Sequence, residues 1–158
     1  MTRRSSNFFP LIALAFASFG QVAPAAPDLV LSEASRMAVE PSSASLAGGN
    51  ARLTTTTLRR ESARYVGNYQ IQVRPYFFKD ETGTLSIPVS DESLRKLARG
   101  TTVHFAGNAL TTGTETARAV KVKATPAGAG TGKGNLTISI ATENGELVFF
   151  TGYTLGDD

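Results

Sequence analysis

Between residues 69 and 77 apolar and polar side chains alternate without a break. Tyr69, Ile71, Val73, Pro75 and Phe77 fall on one face of an extended chain, and Gln70, Gln72 and Arg74 on the other. A period of two turns one set towards a core and leaves the other in water, which no helix achieves. The pattern returns in Leu85, Ile87 and Val89 against Thr84, Ser86 and Pro88. It returns again in Leu136, Ile138 and Ile140 against Thr137, Ser139 and Ala141. A chain written this way builds a sheet with one dry face.

Further extended segments are expected at 51–58, where threonine favours the strand through its stiff branched β-carbon, and at 102–106, 116–125 and 146–153. Asp80-Glu81-Thr82-Gly83 reads as a four-residue loop joining 69–77 to 84–89. Asn144-Gly145 marks a tight hairpin between the last two strands. Pro75 cannot donate to a ladder and is expected at an edge or a bend.

One helix is expected, near residues 91–99. Ser90 can cap it, Asp91 and Glu92 open it, Arg95, Lys96 and Arg99 lie towards its end, and Gly100 stops it. Its apolar stripe of Leu94, Leu97 and Ala98 is narrow, which suits a connecting helix plugging one end of a sheet structure. Six to eight short strands without strand–helix alternation predict an all-β fold. The expectation is an antiparallel β-sandwich, immunoglobulin-like or barrel-like, with that one short helix. The Cys and Trp of a true immunoglobulin domain are absent.

The first residues carry a different message. Arg3 and Arg4 precede an apolar run over residues 8–19, and Ala23-Pro24-Ala25 follows. Charge, grease and a small-residue exit are the parts of a secretory signal peptide, and the run is too short to span a bilayer. The expected organisation is a cleaved signal at 1–26, a flexible lead-in at 27–50 with an edge strand available in it, and one β-sandwich domain at 51–158. The expected location is exported, periplasmic or extracellular. With no cysteine in the chain, lipid anchoring, disulfides and thiolate metal sites all fall away. Roughly 130 residues remain after cleavage, enough to hold an apolar core without staples. Loss of the two arginines takes the formal charge from +3 to +1, so nucleic acid is not an expected partner.

No motif for catalysis or cofactor binding survives inspection, and no cofactor is expected. The loop Pro126-Ala127-Gly128-Ala129-Gly130-Thr131-Gly132-Lys133-Gly134 lacks the glycine and the Ser or Thr that a phosphate loop requires, and a strand follows it. His104 is the only histidine and should project opposite Val103 and Phe105, with no sequence context tying a nucleophile or an acid to it. Asp80, Glu81, Asp91 and Glu92 are carboxylates with structural roles in a turn or at a helix start.

What remains is surface. Phe77-Phe78 and Phe149-Phe150 each place one ring on each face of a strand, so one ring of each pair must leave the core. Lys121 and Lys123 face away from Val120 and Val122, while Arg118 shares the valine side. The candidate contact surface is therefore Tyr76, Phe78, Phe150, Tyr153, Lys121 and Lys123. The expected function is a non-catalytic exported binding or assembly module for an envelope polymer or a protein partner. The alternatives are a small extracytoplasmic hydrolase using His104 or a carboxylate pair, and a carbohydrate-binding module.

Overall fold

The computed structural model describes residues 34–143 and 145–157. The signal segment and Leu29-Val30-Leu31 lie outside the described residues. Ten strands and one helix follow in the order β1 (Arg36–Val39), β2 (Ser42–Leu46), β3 (Gly49–Thr55), β4 (Leu58–Glu61), β5 (Arg64–Arg74), β6 (Glu81–Pro88), α1 (Asp91–Ala98), β7 (Val103–Thr111), β8 (Arg118–Pro126), β9 (Lys133–Thr142) and β10 (Gly145–Gly156).

Every pairing is antiparallel, and the ladder runs β2–β3–β5–β4–β1–β10–β9–β8–β7–β6 with β6 returning to β5. That last pairing closes the sheet. Of the two all-β arrangements expected, the barrel describes the molecule: it is an eight-strand antiparallel ring rather than two stacked sheets. The count of eight arises because β1 with β2, and β3 with β4, act as two long bent strands of one hairpin. Met37 pairs with Leu58 and Ser42 with Leu53, with four residues between them on each side.

This first hairpin explains why the lead-in was hard to read. Its strands are short, rich in Ser and Ala, and change face along their length. Leu53 and Leu58 are both buried although their positions differ by an odd number, and so are Met37 and Ala44. The change of face coincides with a bulge. Thr55 pairs with Tyr69 and Arg59 with Val66, so residues 56–58 stand opposite only Gly67 and Asn68. The Thr56 amide donates to the Asn68 carbonyl at 2.9 Å, and the Asn68 amide returns a bond to the Thr56 hydroxyl at 3.0 Å. An extra residue of this kind bends the wall, as closure of a ring demands. Gly67 completes the bend: a Cβ there would sit 2.6 Å from a Leu58 methyl carbon.

Inside the ring the alternation resolves into one core. Ile71, Val73, Leu85, Ile87, Val120, Val122, Leu136, Ile138, Ile140 and Phe149 all point inward and are buried. Outward stand Gln70, Thr82, His104, Lys121, Lys123 and Phe150, all exposed except the half-accessible members of the rows between them. A wall that is polar outside and apolar inside suits water; a barrel standing in lipid reverses this pattern. Among the described residues no helix is long and apolar enough to cross a membrane.

The two ends of the ring differ. At one end α1 lies across the opening and buries Leu94, Leu97 and Ala98. Ser90 caps it by accepting from the Ser93 amide at 3.2 Å, and Asp91 pairs with Arg60 on β4. The loop at 127–132 closes down on the helix, its Gly130 amide donating to the Ala98 carbonyl at 2.7 Å. That contact gives the glycine-rich loop a structural role. Beneath the helix Tyr65 is fully buried and donates its hydroxyl to the Ala34 carbonyl at 2.8 Å. Burial pushes the Tyr65 phenol up to about 12.

Candidate functional site: the open end of the barrel

At the other end the connections at 47–48, 75–80 and 112–117 and the β9–β10 turn surround an opening. A cavity of about 1090 Å³ descends between them. Its wall mixes apolar Leu46, Ile71, Val73 and Leu147 with Tyr76 and Lys79 at the rim. An eight-strand ring is just wide enough to be filled by side chains or to hold one small ligand. Small side chains and loops at this end leave it unfilled.

The inner wall carries a polar cluster. Arg118 lies in phase with Val120 and Val122 and so points inward, as its position on the valine side required. Glu81 lies in phase with Leu85 and Ile87 and meets it across the intervening strand β7. The Arg118 guanidinium forms an ion pair with the Glu81 carboxylate. It also donates to the Tyr69 hydroxyl at 3.2 Å and to the Thr111 hydroxyl at 3.0 Å, and those two hydroxyls bond each other at 2.9 Å. Burial pulls the Arg118 pKa down, but the hydrogen bonds to Glu81 and Tyr69 and the Glu81 charge outweigh it, and the net shift is upward. Arg118 is therefore a fixed cation. Its Nε lies buried without a hydrogen-bond partner among the described residues, a donor group left without an acceptor.

The rim is shaped by Asp80. Its carboxylate accepts from the Val73 amide at 2.6 Å and from the Arg74 guanidinium at 3.0 Å. The bond from the Val73 amide, followed by those from Arg74, holds the Asp80 carboxyl below the usual carboxylate range. This clamp and Pro75 end β5 early, so Pro75 and Phe77 leave the strand that the alternation assigned to them. Phe77 to Lys79 form a single 3₁₀ turn, with Phe77 and Phe78 72% and 74% exposed. Tyr76 packs edge-on against Phe78 with centroids 6.0 Å apart, and the Lys79 ammonium lies 5.7 Å from the Tyr76 ring centre.

The residues proposed from sequence as a contact surface divide into three groups. Tyr76 and Phe78 stand on the rim. Lys121, Lys123 and Phe150 share the outer wall of β8 to β10, with Thr137 in register between Lys123 and Phe150. Tyr153 turns inward and is 3% exposed, so it belongs to the core and not to the surface. His104 projects from the outer wall in register with Lys123, away from the cavity. Among the described residues no three His, Cys, Asp or Glu side chains are placed to hold a metal ion.

The interior cluster was not assembled from sequence. In the sequence Glu81 reads as part of a turn, and Thr111 carries no signal of its own. The available clue was phase: a cation in step with valines on one strand, and a carboxylate in step with Leu85 and Ile87 on another. No protein-family model, curated protein or solved structure matches this chain, so its function is argued from this geometry.

Proposed function

We propose that the protein is an exported, non-catalytic binding module that takes a small uncharged molecule into the open end of the barrel. The observation that carries the reading is a cavity of about 1090 Å³ with an apolar stretch of wall at Leu46, Ile71, Val73 and Leu147, the Arg118 hydrogen-bonding cluster beside it, and Lys79, Glu143 and Glu146 among its other lining residues. A few convergent polar groups in an apolar pocket are how small-molecule sites fix orientation. Arg118 and Glu81 neutralise each other, so a charged head would face a group of its own sign. A hydroxyl, amide or ester head can instead share the Arg118, Tyr69 and Thr111 network while an apolar body lies along Ile71, Val73 and Leu147. The hydrolase alternative gains no support from His104, which stands outside the ring.

Titration with the neutral fluorophore N-phenyl-1-naphthylamine tests this. Saturable enhancement with one site per chain is expected, with displacement by a medium-chain alcohol. Leu147→Trp, which fills the cavity, should abolish it without loss of β-sheet circular dichroism. Arg118→Met should weaken the alcohol by about tenfold and the probe far less, because only the alcohol uses the network. Absence of saturable binding, or equal binding by the Leu147→Trp variant, would overturn the proposal.

A further inference from the structure

We infer that the aromatic tip at residues 76–79 docks the open end of the barrel on a lipid bilayer surface, where the cavity exchanges its ligand. The second part rests on the reading of the cavity as a binding site; the docking itself rests on a separate observation. Phe77 and Phe78, adjacent on one 3₁₀ turn, are among the most exposed large apolar side chains of the described residues. Their exposure is built rather than accidental. Asp80 ties the turn to the end of β5 through Val73 and Arg74, the Lys79 amide donates to the Tyr76 carbonyl at 2.9 Å, and the three rings pack edge to face.

Phe150 shows what an incidental exposed ring looks like. It is as exposed as Phe77, but it stands singly on the outer wall in the row of Thr137 and Lys123. Single apolar residues of that kind are normal on a surface; a protruding pair is not.

A bilayer fits the tip better than a protein partner does. Two phenylalanines offer at most a few hundred Å², well short of the roughly 800 Å² each partner buries in a standard interface. A lipid surface needs no minimum area and no matching shape. Tyr76 and Lys79 beside the two phenylalanines add the amphipathic ring and the long cation that settle at headgroup depth. The same two residues line the cavity, so one rim would face both the lipid and the ligand's path. Around the rim Arg74 pairs with Asp80 and Lys121 with Glu146, and the remaining lining charges, Lys79 and Glu143, are of opposite sign, so the net charge is close to zero. The attraction is therefore apolar, and zwitterionic lipid should suffice.

Flotation of the purified protein with phosphatidylcholine vesicles tests the inference, and the absence of any tryptophan makes a Phe78→Trp variant a clean reporter. The wild type should float with the vesicles, with little dependence on salt, and the Phe78→Trp variant's emission should shift to the blue. Phe77→Ser combined with Phe78→Ser should lower the partition coefficient by at least about tenfold. It should leave N-phenyl-1-naphthylamine affinity unchanged, and Phe150→Ser should alter neither the partition coefficient nor the probe affinity. Probe binding without vesicle binding would overturn the docking while the cavity reading stands. Vesicle binding without probe binding would overturn the exchange together with that reading. A lipid-free dimer that dissociates on the double substitution would overturn the docking in favour of a second copy of the chain.

Discussion

The two ends of the barrel are built from the same strands and solve opposite problems. At the helix end Leu94, Leu97, Tyr65 and Leu58 are fully or almost fully buried, and the polar groups there are caps and ties. At the loop end an ion pair lies inside the wall and two phenylalanines stand in water. A sequence selected for stability alone would have treated both ends like the first. The proposed function divides the molecule along this contrast, with folding energy at the closed end and recognition at the open one.

The sharpest way to break that division is to damage the closed end. Leu94→Ala should cost about 3 kcal/mol, as truncation of a buried leucine generally does. Its denaturant midpoint should fall while probe affinity below the transition stays at the wild-type value. A change in affinity would mean that the ends are not independent. A smaller effect is expected from the interior pair. Arg118→Met alone leaves Glu81 without its cation and should cost about 1–2 kcal/mol in urea unfolding. Adding Glu81→Leu should recover most of it, since the pair is half-buried and apolar replacement of both partners leaves no charge without its counterion. Failure of the double variant to recover would make the pair a structural necessity and weaken its assignment to recognition.

The smallest effect concerns the rim. Asp80 has a folded-state pKa below its unfolded value, so its contribution is complete above the ordinary aspartate range near pH 4 and is lost as pH falls through the folded value. Acidification should therefore loosen the aromatic tip before the barrel unfolds, read as falling anisotropy of the Phe78→Trp variant. Asp80→Asn should remove that acid step and leave the global unfolding midpoint at neutral pH nearly unchanged.

Much of the barrel was legible because period-two alternation is a direct record of which side faces the core. Leu136, Ile138 and Ile140, Phe149 inside and Phe150 outside, and the capped helix with its three-residue stripe all followed from local chemistry. Closure was not legible, since no residue pattern records that β10 meets β1. The first hairpin hid its strands because its face changes at the Thr56 bulge, where a simple period fails. The rim was misread for a related reason: the alternation continues on paper through Pro75 and Phe77, but the Asp80 carboxylate takes the Val73 amide and ends the strand. Of the site itself, Arg118 announced its inward position, while its partner lay hidden in what reads as a turn.

The pairing of β1 with β10 also sets a condition in time. Glu40 and Thr151, which bond across that seam, are 111 positions apart, so the ring cannot shut until β10 is present. Contacts of such long sequence separation carry a heavy loop-closure entropy and form slowly. Until the last strand arrives, the growing sheet keeps an open edge at each side. A polypeptide with this seam stays unfinished until β10 is delivered, and no part of the ring before it can close alone.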